Sequence, residues 1–332
     1  MGHVSGVEGT LLDAVEGIIV KLEINNGVTG PRTTAPEITV RILNTHQQTL
    51  RNSQSRLICS MWRSSQYGVG MANHTDDLRL AHILADNADS LTMSRFGARD
   101  LTISTKPDHS EVTDADLAVE DSVRRTLSRM RSRDAVHGEE RGDTGDGPRR
   151  WIIDPIDGTA NFLRGVAVWA TLIALSVEDE IVASVVSAPA LKRRWWAARG
   201  LGAWTGKSLA SATPIHVSNV RSLDDAFLSY SSLHGWVESG RGRGFGELMR
   251  SVWRTRAFGD FWSYMMVAEG VVDLACEPEL GLHDMAALDI IVTEAGGKFT
   301  GLDGRDGPWS GNAMASNGFL HTEALAMVQP EP

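Results

Sequence analysis

Two carboxylates three positions apart, Asp154 and Asp157, stand inside the string Trp-Ile-Ile-Asp-Pro-Ile-Asp-Gly-Thr-Ala-Asn-Phe that runs over residues 151–162. Carboxylates with water suit a hard divalent ion such as Mg²⁺, which takes oxygen ligands in octahedral geometry. Gly158 and Thr159 follow at a turn or helix start, where backbone N–H groups can hold a phosphate. Metal ligands beside an anion cradle are the parts of a phosphate-transfer site. The same residues are also common in ordinary turns, so the reading depends on what else the chain offers. Further carboxylates occur as Gly138-Glu139-Glu140, as Asp114, Asp116 and Glu120 in one stretch, and as Glu277, Asp260 and Asp284 downstream. Each has a plainer alternative: a solvated loop for Glu139, a helix cap for Asp116, Asp260 or Asp284, and an ordinary surface residue for Lys106.

The elements that must position these groups are legible in outline. Trp151, Ile152 and Ile153 read as a buried strand, which Pro155 is expected to end because it cannot donate to the ladder. Val119, Val123, Leu127 and Met130 recur at helical spacing, and Asp116 falls inside the arc of that apolar stripe. A carboxylate facing inward needs a partner, since an unpaired buried charge is very costly. Residues from Met71 read as a first helix with Leu80, Ile83, Leu84 and Leu91 on one side. Strands are expected at 168–177, 181–188, 194–198 and 202–205, separated by short turns as in an antiparallel meander. Beyond about residue 214 strands and helices alternate: a strand at 226–230, a helix carrying Phe245, Leu248, Met249 and Val252, a helix at 260–269, a strand at 271–276, and a helix opened by Asp284.

Composition narrows the partners. The chain has 332 residues, 42% of them hydrophobic and 22% charged, as in a soluble globular protein. A formal net charge of −10 argues against nucleic acid as the principal partner, and an anionic substrate would then need bridging cations. Cys59 and Cys276 are the two cysteines, too few for a disulfide framework or a thiolate zinc site, which points to a reducing cytoplasm. Neither a Walker A nor a dinucleotide-binding glycine motif is present. Residues 1–70 contain scattered apolar residues without sustained periodicity and no apolar run of signal-peptide or membrane length. They are read as an unstructured extension or a mis-assigned start with Met71 as the natural first residue, a small accessory segment being the alternative.

The string Asp154-Pro155-Ile156-Asp157-Gly158-Thr159 followed by Asn161-Phe162 resembles the signature of the inositol monophosphatase superfamily of Mg²⁺-dependent phosphatases. Gly138-Glu139-Glu140 looks like that family's Gly-Glu-Glu element, and Asp284 leading to Gly296-Gly297 is similar to its second signature, with His283 where the family usually has a large residue such as Trp. The resemblance covers about residues 71–329. It implies a layered αβαβα sandwich of the inositol monophosphatase and fructose-1,6-bisphosphatase type, with an antiparallel-sheet sub-domain over 71–213 and an α/β sub-domain over 214–329. It implies two or three Mg²⁺ ions: Glu139, Asp154 and the Ile156 carbonyl at one, Asp154, Asp157 and Asp284 at a second. It further implies that Asp116 bonds Thr159 to aim the attacking water, that Lys106 lies near the site, and that the protein forms a homodimer.

Three stretches resemble the bacterial histidinol-phosphatases of this superfamily more than its inositol phosphatases: 186–191 with 194–200, 256–264 and 307–312. The implied substrate is L-histidinol phosphate, an intermediate of L-histidine biosynthesis. Its ammonium and imidazole call for carboxylates and an aromatic surface, for which Glu277, Asp260 and, in support, Arg256 are the candidates. Inositol 1-phosphate or another small phosphorylated metabolite is the alternative within enzymes. A family member that keeps the fold without activity is the alternative outside them.

Overall fold

The computed structural model describes residues 12–15, 18–25, 37–42, 70–105 and 111–330, with side chains from residue 74 onward; Lys106 lies outside the described residues. The chain divides into two compact units, residues 1–67 and 68–332. In the first, β1 (Leu12–Val15), β2 (Ile18–Asn25) and β3 (Glu37–Ile42) pair antiparallel in that order. At these three segments the structure differs from the expectation of an unstructured extension. Val20, Leu22 and Ile24 alternate with Lys21 and Glu23, and Ile38, Val40 and Ile42 with Thr39 and Arg41; this short period-two pattern suits a sheet.

The second unit begins with α1 (Gly70–Arg95), the paired strands β4 (Ile103–Thr105) and β5 (Glu111–Thr113), and α2 (Asp114–Met130). Next come β6 (Ala135–Gly138), β7 (Gly142–Thr144), β8 (Arg149–Asp157), the short α3 (Thr159–Arg164), and β9 (Ala170–Val177). Strands β10 (Glu180–Ala188), β11 (Arg193–Ala198), β12 (Ala203–Gly206) and β13 (Ala212–Pro214) follow. Among the described residues these form an eight-stranded sheet, ordered β13-β12-β11-β10-β9-β8-β6-β7, in which only β6 and β8 run parallel.

The remaining elements are β14 (Phe227–Ser229), α4 (His234–Glu238), α5 (Gly242–Ser251), β15 (Arg254–Arg256) and α6 (Asp260–Ala268). They continue with β16 (Leu274–Glu277), α7 (Leu282–Glu294), β17 (Lys298–Thr300), β18 (Ala313–Ser316) and α8 (His321–Met327). The strands make a mixed five-stranded sheet in the order β15-β14-β16-β18-β17.

Alternation along the central strands builds the layers. Trp151, Ile153, Ile173, Leu175, Val185 and Trp196 pack with Leu80 and Leu84 of α1 and with Val119, Val123 and Leu127 of α2. Their sequence neighbours Ile152, Leu172, Ala174, Val186 and Trp195 pack with Phe261 and Met265 of α6 and with Leu288, Ile291 and Val292 of α7. A sheet buried on both faces reads as near-continuous apolar runs, and each fully buried Leu or Ile contributes roughly 2 kcal/mol. Helices α6 and α7 also meet Ala275, Phe299, Ala313 and Ala315 of the second sheet. That sheet's other side, with Leu228, Leu274, Cys276 and Met314, packs with Trp236, Phe245, Leu248 and Ala324 of α4, α5 and α8. The result is the expected helix–sheet–helix–sheet–helix sandwich.

Three local expectations are corrected. Ile83 and Met130 are exposed, at 46% and 49%, rather than part of the stripes of α1 and α2. Pro155 does not end its strand, because β8 continues through it to Asp157. No helix among the described residues is long and apolar enough to cross a membrane.

Candidate active site

The acidic cluster owes its geometry to a bulge. β8 pairs with β9 at Asp154↔Leu172 and next at Asp157↔Ala170, so β8 carries one extra residue. A bulge is where proline's missing N–H costs the ladder least, and the Thr171 hydroxyl donates to the Pro155 carbonyl at 2.8 Å. In a regular strand, side chains three positions apart point to opposite faces. With the bulge, Asp154 and Asp157 converge.

Asp284 joins them from the first turn of α7. It does not open the helix, as the sequence suggested, but stands at its third position, with Oδ2 accepting the Gly281 amide at 2.6 Å. Carboxylate oxygens of Asp154, Asp157 and Asp284 lie within 4.8 Å of one another. Glu139 reaches the same place because β6 runs parallel to β8 with Gly138 opposite Ile153, and its amide donates to the Ile153 carbonyl at 3.2 Å.

Electrostatics show how poorly the protein alone accommodates this cluster. Burial first, then the charges of Glu139, Asp157 and Asp284, hold the Asp154 carboxyl well above the usual carboxylate range. Burial, then Asp260 and Asp284, do the same to Asp157, although its Oδ2 accepts the Phe261 amide at 2.7 Å. Burial also raises Asp284, with His283 opposing. Both carboxylate oxygens of Asp154 are buried and take no hydrogen bond. Orphaned oxygens in an all-carboxylate donor set fit a hard divalent cation, which supplies the missing charge and coordinates oxygen alone.

Gly158 precedes α3 with φ +86°, and a Cβ there would stand 3.0 Å from the Val168 carbonyl and 3.1 Å from Asp260 Oδ2. Glycine thus lets α3 begin against the cluster. The expected Thr159–Asp116 hydrogen bond is not formed. Thr159 Oγ1 donates to the Ile156 carbonyl at 2.9 Å, and Asp116 Oδ2 accepts from the Thr113 amide at 2.8 Å and hydroxyl at 2.6 Å. Asp116 sits at the third position of α2, where its carboxylate closes a capping box with Thr113. Its other oxygen is buried without a partner, and burial chiefly, with Glu139 adding, pushes its carboxyl up to about 6. The Ile156 carbonyl keeps a second lone pair beside the one Thr159 uses.

Of the second-half candidates, Asp260 and Glu277 come to the cluster. Asp260 does not cap α6. It adopts φ +49°, rare for a non-glycine residue, and accepts from Asn161 Nδ2 at 3.0 Å. Glu277 ends β16, buried, with Oε1 taking no hydrogen bond; burial first, then Asp260 and Asp284, raise its carboxyl well above the usual range. Arg256, on the edge strand β15, is exposed and its guanidinium donates to the Thr255 carbonyl at 2.8 Å.

Residues not picked out beforehand also border the cluster. His137 on β6 stacks on His283, ring centroids 6.1 Å apart, and Tyr264 of α6 influences Glu277 from within the core. Glu120, noted in the sequence only as one of three carboxylates in a stretch, lies outside the cluster, four positions before Arg124 on the buried face of α2.

Comparison with known proteins agrees with this geometry. The Inositol monophosphatase family profile matches residues 75–331. The chain is 64% identical to the histidinol-phosphatase of Streptomyces coelicolor over 262 residues, covering 78% of this chain and 98% of that protein. It is 57% identical to the histidinol-phosphatase of Mycobacterium tuberculosis over 254 residues, covering 76% and 98%. In three dimensions it resembles the extragenic suppressor protein suhB of Bartonella henselae, with TM-score 0.71, 28% identity, and 76% and 98% of the two chains covered. With its carboxylates converging where the signature string predicts, the chain belongs to the inositol monophosphatase family.

Proposed function

We propose that this chain is a Mg²⁺-dependent phosphomonoester hydrolase that converts L-histidinol phosphate and water to L-histidinol and phosphate in L-histidine biosynthesis. The observation that carries the reading is the convergence of Asp154, Asp157 and Asp284, with both Asp154 oxygens buried and unbonded. Glu139, Asp154 and the Ile156 carbonyl would hold one Mg²⁺, and Asp154, Asp157 and Asp284 a second. Bound there, the metal would supply Lewis-acid charge to the phosphoryl oxygens and acidify a water. The protein's own share is then positioning and charge placement, which carry most of phosphoryl transfer. Thr159 orients the attacking water. Asp116, with one unbonded oxygen and a carboxyl pushed up to about 6, suits acceptance of its proton. The start of α3 at Gly158 and Thr159 faces the phosphate.

Two supports favour histidinol phosphate as substrate. The relatives at 57% and 64% identity are named histidinol-phosphatases and are matched over 98% of their lengths. Asp260 and Glu277 add negative charge beside Asp157 that an ammonium on the leaving group would relieve. The reading places the enzyme in a reducing cytoplasm, which suits a free, buried Cys276, and as a homodimer, which sedimentation would check. The decisive experiment is competitive turnover by purified protein with and without Mg²⁺. Histidinol phosphate is expected to exceed inositol 1-phosphate in kcat/KM, chelation to abolish both, and Glu277→Ala to impair the first selectively. A preference for inositol 1-phosphate would refute the substrate, and full activity under chelation would refute the metal chemistry.

A further inference from the structure

Glu120 is fully buried on α2, outside the acidic cluster, and the chemistry above does not use it. We propose that it is the positioning residue that holds Glu139 at the metal site, an inference that rests on Glu139 being a metal ligand.

Strands β6 and β7 are joined by Glu139, Glu140 and Arg141, with Gly138 opposite Gly142. All three amides of this loop are anchored. The Glu139 amide donates to the Ile153 carbonyl of β8 at 3.2 Å. The other two converge on one carboxylate: Glu140 N–H on Glu120 Oε2 at 2.7 Å, and Arg141 N–H on Glu120 Oε1 at 3.1 Å. Successive amides around one anion form a nest, and an ionised acceptor makes such bonds stronger than neutral ones. Arg124, one helical turn along α2, closes the arrangement. Its Nε donates to Glu120 Oε1 at 2.7 Å, and its terminal nitrogens donate to Thr144 Oγ1 at 2.8 Å and to the Gly142 carbonyl.

The approach is so close that a Cβ on Gly138 would lie 2.1 Å from Glu120 Oε1 and 2.7 Å from an Arg124 terminal nitrogen. Glycine immediately before Glu139 is therefore a steric requirement of the clasp. Were Glu120 only filling the core, an apolar residue of its size would serve without burying a charge. A carboxylate at this point is explained by the loop amides it gathers, and those amides flank Glu139. The backbone carrying Glu139 is tied on one side to the strand of Asp154 and on the other to α2. Groups that orient metal ligands in this way typically cost 10–100-fold in metal affinity or activity when lost.

The test is Mn²⁺ affinity of the full chain by calorimetry, with melting temperature in chelator recorded beside it. Glu120→Gln keeps the shape but not the charge, and is expected to weaken Mn²⁺ binding about 10-fold. The same change in a Glu139→Gln background should weaken it less than about 2-fold, since the effect acts through Glu139. A purely structural role would lower the melting temperature and leave that coupling at zero. Should Glu120→Gln not fold, Arg124→Gln removes one arm of the clasp from a partly exposed site, with a smaller loss that again disappears beside Glu139→Gln. Mn²⁺ affinity unchanged in Glu120→Gln, or equal losses in both backgrounds, would overturn the positioning role while the ligand role of Glu139 stands. Unchanged affinity in Glu139→Gln alone would overturn the ligand reading and this inference with it.

Discussion

Two regions of the molecule gather carboxylates and histidine around buried side chains, and they handle the charge in opposite ways. Between α1 and strands β10 and β11, Arg194 reaches Asp86 Oδ1 at 2.8 Å and Asp89 Oδ2 at 2.7 Å. The Ser187 hydroxyl donates to Asp89 Oδ2 at 2.9 Å and accepts from Arg194 Nε at 2.9 Å. His82 completes the group, pushed down to about 4 by burial and by Arg194, and so is neutral near pH 7. Here a cation of the protein's own answers the acids. At the other region, Asp154, Asp157, Glu277 and Asp284 are raised first by burial, with Glu139, Asp260 and other neighbouring acids adding and His283 the opposing charge at Asp284. A buried charge that the chain pairs for itself is architecture, while one it leaves unpaired at such cost calls for a cation from outside.

The contrast is most directly broken by neutralising one member of each region. Asp154→Asn removes a like charge from the cluster. Turnover of histidinol phosphate is expected to fall by more than about 100-fold, beyond what an orienting group costs, while the metal-free protein melts higher. Loss of activity together with a lower melting temperature would mean that the cluster is structural. Arg194→Met leaves Asp89 with the Ser187 hydroxyl alone, and chemical denaturation should show a loss of about 3 kcal/mol. The kcat of the molecules that remain folded should not change, and a changed kcat would join the two regions that the comparison separates.

The pH dependence of metal-free stability sharpens the comparison, because the cluster acids and His82 act with opposite sign, although burial raises Asp89 beside Arg194 in the same direction as the cluster acids. The cluster acids have folded values above their unfolded ones. Their contribution is full below about pH 4 and is lost as pH rises through the folded values, about 6 for Asp116. His82 has a folded value of about 4 against an unfolded 6.5, so its contribution is full above pH 6.5 and is lost as pH falls toward 4. Several raised acids outweigh one lowered histidine, so melting in chelator should fall by about 5 °C or more from the acid limb near pH 4–5 to the alkaline limb near pH 8. Mg²⁺ should lift the alkaline limb and leave the acid limb in place. An equal lift at pH 5 and pH 8 would place the metal elsewhere. The smallest expected effect is Ser187→Ala, about 1 kcal/mol for the bonds it makes to Asp89 and Arg194, read as a shift in urea midpoint with activity unaltered.

How much of this was legible in the chain differs from residue to residue. Asp154, Asp157, Gly158 and Thr159 stand in one contiguous string, and contiguity keeps neighbours near each other in any fold. The stripe of Val119, Val123 and Leu127 and the alternating strands follow from period alone. Three expectations met a different outcome, one of them, the cap at Asp116, already an alternative in the sequence. Pro155 was expected to stop β8, but a bulge absorbs it, and that depends on the partner β9. Asp116 was expected to reach Thr159, but a capping box three residues away captured it. Arg256 was expected in support of the site, and its guanidinium is exposed on the edge strand β15, bonded to the Thr255 carbonyl.

By itself, then, the sequence determined which chemical groups are available and which elements carry them. Residue type and period are local properties, and the signature string supplies its carboxylates in any fold. Only the tertiary structure decided which distant groups meet. Parallel pairing of β6 with β8 brings Glu139 beside Asp154, and the packing of α7 against the large sheet brings Asp284 to both. Glu120 closes on the loop amides because Gly138 leaves it room. Such meetings are set by sheet register, a bulge and close approach between elements, and these arise from chain pairing across long sequence separations.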